Sequence, residues 1–124
     1  MRRYLNLVVI IISIATILSG LVQMLSPQTV LNIIQGEITE ASSHFFAIVG
    51  MFMTLFGGLM IHAIYSPYPQ KPAILWCALQ KLGAFVAVGV GILNGIFAPI
   101  AAGVALFDLF SGLLFLYYLK ELEN

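Results

Sequence analysis

The sequence predicts an all-α integral membrane protein, a four-helix bundle with a short interfacial amphipathic helix after the first span. Three observations predict it. The chain is 61% hydrophobic and only 8% charged, whereas a soluble domain carries about 25% charged residues; most of its surface therefore expects lipid. Four segments are long and apolar enough to cross a hydrocarbon core of about 30 Å, which takes about 20 residues per helix. They run from Tyr4 to Met24, His44 to Tyr65, Ala73 to Leu93 and Ala98 to Tyr118. None alternates with a period of two, and four strands would not close a barrel. The spans therefore read as helices that bond their own backbones. Residues 1–124 form a single transmembrane domain, with no room for a soluble catalytic module.

The first span starts behind Arg2 and Arg3 like a secretory signal. Its apolar run is long for one, and no small-residue cleavage site follows, so it reads as a retained span. In the connection "SPQTVLNIIQGEITEASS", Ser26 and Pro27 form a helix start. Val30, Leu31 and Ile34 then share one face, and Gly36 ends the element. This predicts an amphipathic helix at the outer membrane surface. The second connection, "SPYPQKP", holds three prolines, which stop one helix and pre-set the first turn of the next. The connection around "NGIFAP" is so short that the third and fourth spans must be antiparallel neighbours. Tyr4, Tyr65, Tyr68, Trp76, Tyr117 and Tyr118 fall near span ends and read as interface anchors.

Basic residues outside the spans, Arg2, Arg3, Lys71 and Lys120, all fall on one side of such a bundle, while Glu37 and Glu40 fall on the other. The positive-inside rule then puts both termini in the cytoplasm. Formal charge is zero, so no basic field exists to attract nucleic acid. The single cysteine, Cys77, lies within a span and reads as a small buried hydrophobe.

Two charges lie at membrane depth. Lys81 sits within the third span, about 12 Å from its cytoplasmic end, and Asp108 within the fourth at about 15 Å. An isolated ammonium there costs about 2.5 to 3.5 kcal/mol, so the simplest reading is a Lys81–Asp108 pair inside the bundle. Three roles stay open for it: a clamp on helix register, a snorkelling lysine beside a protonated carboxyl, or a site for a ligand or proton. Small residues line the same helices. Ala84, Val88, Gly91 and Gly95 follow Lys81, with Ala87 beside them. Ala101, Ala105 and Gly112 share a stripe with Asp108. The second span has Thr54, Gly58 with Gly57 beside it, His62 and Tyr65. Small residues allow close helix approach in lipid. His62 lies near the cytoplasmic end, so His62, Gln80, Lys81 and Asp108 form a candidate polar network.

Walker, GxGxxG, HExxH, CxxC and GxSxG patterns in their structural contexts are missing, and no two carboxylates share a site. The chain reads as non-enzymatic, with no metal site. Three functions fit. The favoured one is an accessory or structural subunit packing against a larger redox, respiratory or photosynthetic membrane complex. A binder or carrier of a lipid-like molecule such as a quinone is the second. A heme or pigment protein holding a tetrapyrrole through His62 or His44 is the third. Membrane lipid and other membrane subunits, or further copies of the chain, are the expected partners.

The order of features, "SPQTVL", "SSHFFAIVGMFMTLFGGLMI", a proline-rich turn, "LWCALQKLGAF" and "ALFDLF", resembles the small four-helix bacterial membrane proteins of the broad DoxX-like group. The resemblance covers the whole chain as a layout. It implies a four-helix membrane bundle, with no assigned biochemistry for many members and redox or respiratory partners for some. The expected location is a bacterial inner or thylakoid-type membrane. It carries over no catalytic residue.

Overall fold

The computed structural model describes residues 2–68 and 70–123, with the side chains of residues 2 and 123 outside the description. Of the three prolines in the second connection, Pro69 lies outside the described residues. The elements are α1 (Arg2–Leu25), α2 (Pro27–Ile33), α3 (Glu40–Ile64), α4 (Lys71–Leu93), a 3-10 turn (Pro99–Ala101) and α5 (Ala102–Glu123), with no strand among the described residues. Four helices are long and apolar enough to cross a membrane: Arg3–Leu25, Glu40–Ile64, Lys71–Leu93 and Pro99–Leu122. At about 1.5 Å per residue each exceeds the thickness of a hydrocarbon core. The molecule is an all-α membrane bundle.

Local chemistry sets the helix ends. α3 begins four residues before the expected boundary because Thr39 and Ser42 form a reciprocal cap. The Thr39 hydroxyl accepts from the Ser42 amide at 2.9 Å, and the Ser42 hydroxyl accepts from the Thr39 amide at 2.8 Å. α4 ends in a Schellman turn, with the Gly95 amide on Ile92 O at 3.1 Å and the Ile96 amide on Gly91 O at 2.8 Å. Gly95 takes φ +74° there, so it is a turn residue and not a packing residue. α2 ends in the same way, but the left-handed position is filled by Gln35 at φ 57° and not by Gly36.

The chain assembles as two antiparallel pairs, α1 with α3 and α4 with α5. The first pair is drawn together by glycines. A Cβ on Gly20 would lie 2.6 Å from Gly50 O, and one on Gly50 would lie 2.7 Å from Gly20 O. Further along, Gly57 faces Ser13 O and Ile17 of α1. In the second pair Gly112 lies against Leu82 and the carbonyl of Ala78. Gly57, Gly91, Ala101, Ala105 and Gly112 are buried as their seams require, although Gly91 is covered by the Phe97 ring of its own turn. Gly58 and Ala87 are not packing residues. The inward face of α3 runs through Gly50, Gly57, Met60 and Ala63, and that of α4 through Ile74, Cys77, Ala78, Lys81 and Gly91. One residue is about 100° of helix rotation, which takes Gly58 off its seam. Ala87 points outward and is exposed.

The two pairs meet around a core of Leu5, Val9, Ile12, Met60, Ala63, Ile74, Cys77, Ala78, Phe115 and Tyr118 near the end that carries the termini. Tyr118 is only 3% exposed. It is a core residue and not an interface anchor, because it falls one turn beyond Phe115 on the inward face of α5. Tyr4, Tyr65, Tyr68, Trp76 and Tyr117 are exposed. At the opposite end Leu31 of α2 and Ile34, its C-cap, pack with Ala101, Phe46 and Phe97. The Ala98 amide donates to Ile34 O at 2.8 Å, so α2 and the α4–α5 turn close that end together.

The glycine contact carries a test. Gly50→Ala is expected to destabilise by about 1–3 kcal/mol through overpacking against the α1 backbone. Gly58→Ala, whose Cβ meets nothing within 4 Å, is expected to be neutral or stabilising by up to about 1 kcal/mol. Reversible unfolding in mixed micelles, followed by circular dichroism, measures both.

Candidate functional site

Between the two apolar ends lies a polar layer. α4 begins at Lys71, so Lys81 sits about 15 Å along it, deeper than the sequence boundary implied. Thr16 of α1 and Asp108 of α5 meet it there. Lys81 and Asp108 are 4% and 8% exposed, and the expected pair is formed, with Lys81 Nζ 3.4 Å from Asp108 Oδ1. That is long for a charge-assisted bond. The tighter contact is one the sequence reading missed: Lys81 Nζ donates to Thr16 Oγ1 at 2.7 Å. The Thr16 hydroxyl donates its own proton to Ile12 O at 2.9 Å, which leaves its lone pairs for the ammonium. The Phe107 ring centroid lies 5.1 Å from Nζ, within cation–π range. One lysine thus ties α4 to both α1 and α5.

Ser13 and Thr16 stand one helical turn apart in "VVIIISIATILSG". That spacing in an otherwise aliphatic span was the available signal. Ser13 donates to Val9 O at 2.9 Å. Ser111 lies one turn beyond Asp108, and its buried hydroxyl has no hydrogen-bond partner among the described residues. Cys77 is buried, with Sγ 3.7 Å from Phe56 O.

Gln80 lines a void beside Lys81, together with Ser13, Thr16, Gly57 and Cys77. His62 does not join them. It is exposed, because at that level α3 turns Met60 and Ala63 inward. His44 is exposed at the other end of the same helix. The void measures about 10 Å³, the scale of a single water. A quinone ring or a tetrapyrrole does not fit in this void. No group of three or more metal-ligating side chains exists among the described residues.

The chain was compared with protein-family models, with characterised proteins and with solved structures, and none of them matches.

The arrangement can hold three helices in one register and seat about one water against an ion pair. Removing one partner leaves the other charge buried and unpaired, so Lys81→Met or Asp108→Leu alone is expected to cost about 3–5 kcal/mol. Lys81→Met with Asp108→Leu is expected to recover most of that loss. Additive costs in this cycle would show that the two groups are uncoupled. Thr16→Val is expected to cost about 1–3 kcal/mol. Ser13→Ala, which breaks only a bond within α1, is expected to cost less than Thr16→Val in the same unfolding assay.

Proposed function

We propose that this chain is a non-enzymatic accessory subunit that packs against a larger membrane complex, with both termini in the cytoplasm of a bacterial inner or thylakoid-type membrane. The interior supports this reading by what it spends its polar groups on. The mid-bundle ammonium, carboxylate and threonine are used to join helices, and the void beside them is far smaller than a substrate. What remains for recognition is the outer surface.

One observation there carries the reading. Gly83 and Ala87 lie one turn apart on α4 and are exposed, and nothing lies within 4 Å of the Cβ position of Gly83. A small-xxx-small pair lets a second helix approach closely, and within this bundle nothing uses it. Gly103 on α5 is also exposed, with open space over it. Glycines whose purpose is packing inside the bundle, such as Gly20 and Gly50, are covered; these are not. The distribution of Arg3, Lys71 and Lys120 toward the end carrying the termini supports the orientation. The DoxX-like layout is consistent with a small bundle that works beside redox or respiratory partners.

Native mass spectrometry of the protein, gently extracted from its own membrane, tests this. A complex of defined stoichiometry with a larger membrane protein is the expected result. Gly83→Ile with Ala87→Leu should dissolve that complex while leaving the melting temperature of the isolated chain unchanged. A monomer that carries no protein partner overturns the reading.

A further inference from the structure

The end of the bundle closed by α2 carries an open groove of about 280 Å³, set between the start of α2 and the first turns of α3. Pro27, Gln28, Glu40, Ser43, His44 and Ala47 line it. Ser43 is 7% exposed. Its amide is bonded to Thr39 O, but its hydroxyl makes no hydrogen bond among the described residues, and that side chain borders the groove. The side chains of Gln28, Glu40 and His44 make none either. Several polar groups close by are bonded within the protein. Ser26 and Thr29 bond each other at 2.6 Å, Thr39 and Ser42 cap α3, and Gln23 Nε2 donates to Phe46 O at 2.9 Å. The groove therefore gathers four polar side chains that make no hydrogen bond among the described residues.

Its position and charge define the occupant. Glu40 opens the α3 span, and α1 ends at Leu25, so the groove lies at the level where hydrocarbon gives way to headgroups. The chain has no Arg or Lys between Arg3 and Lys71; the formal charges in this stretch are Glu37 and Glu40. An anionic headgroup is repelled there and an ammonium is attracted. Along α3 the stripe continues from Glu40 through Ser43 and His44 to Ala47 and Met51. Met51 is 36% exposed, and Leu25 of α1 is 85% exposed. Polar groups at headgroup level thus pass into an apolar track toward the membrane centre, which suits an amphiphile and not a free soluble amine.

We propose that this groove is a binding site for a phospholipid with a primary ammonium, the chemistry of phosphatidylethanolamine. The ammonium donates to the Glu40 carboxylate. The adjoining phosphate accepts from the Ser43 hydroxyl and the Gln28 amide, and one acyl chain runs past Ala47 toward Met51. A trimethylammonium headgroup has no N–H to give Glu40 and is selected against.

The test uses the full chain in nanodiscs of equal parts dioleoyl phosphatidylethanolamine, phosphatidylcholine and phosphatidylglycerol, with retained lipids counted by native mass spectrometry. Phosphatidylethanolamine is expected to be retained over phosphatidylcholine by about tenfold, as one charge-assisted hydrogen bond allows. Glu40→Gln should bring the two to parity, and Ser43→Ala should lower both phosphatidylethanolamine and phosphatidylcholine retention through the phosphate. Glu37→Gln, outside the groove, should change nothing. Equal retention of the three lipids, preference for phosphatidylglycerol, no retained lipid, or an unaltered profile for Glu40→Gln overturns the site. Both Glu40 and Glu37 are exposed, and matched melting curves confirm that the variants fold. The site is independent of the accessory role: a chain that keeps its lipid but no partner protein upholds the one and overturns the other.

Discussion

A lysine ammonium halfway through a lipid-facing bundle has no bulk water to turn to, and the rest of the structure is arranged around that constraint. Lys81 cannot reach either membrane surface from about 15 Å along α4, so its hydrogen bonds have to come from neighbouring helices. Thr16 supplies the short one and Asp108 the compensating charge. Those two partners lie on α1 and α5, one in each of the two helix pairs. A single side chain therefore spans the seam between the pairs, whose surfaces there are mostly apolar. In lipid, where apolar helices gain little by exchanging acyl chains for each other, directional contacts of this kind do more to specify an arrangement than they do in water.

The constraint also explains the glycines. A short polar bond across helices requires that their backbones be close, and bulky aliphatic side chains would hold them apart. Gly57 faces α1 at Ser13, next to Thr16, and Gly112 lets α5 settle on Ala78 and Leu82, next to Lys81. Removing the side chains there brings the helices in and leaves only a void of about 10 Å³ beside the ammonium. The same closeness leaves no room for a large ligand beside the ammonium. The polar layer is a fastening between two apolar cores, and the surfaces it leaves open are the bare α4 face and the groove at the start of α3.

α2 supplies the second organising element. Leu31 and the C-cap Ile34 fill the end of the bundle where α4 and α5 turn back on each other, and the Ala98 amide ties the turn to the Ile34 carbonyl. A left-handed Gln35, at a cost of about 1 kcal/mol over glycine, lets the chain reverse sharply enough to enter the Thr39–Ser42 cap of α3. This reversal is what places Gln28 across from Glu40 and His44.

The sequence by itself determined the fold class, the four spans, the short helix between the first two and the antiparallel pairing of the last two. Each of these follows from local quantities: apolar run length, proline and serine at helix starts, and the length of a connection. It also determined that Lys81 and Asp108 should meet, because a charge buried in lipid needs a counterpart and only one existed at that depth. Tertiary structure decided the rest. Which of two adjacent glycines packs, Gly57 or Gly58, depends on a rotation of about 100° that composition does not record. Gly20 and Gly50 acquire meaning only as a pair, since each is the space that the other's carbonyl fills. His62 was placed with the polar network by its depth, and the bundle turned it outward. A threonine hydroxyl can satisfy itself on its own helix, so nothing in the sequence ties Thr16 to Lys81; setting α1 beside α4 turns its lone pairs to the ammonium.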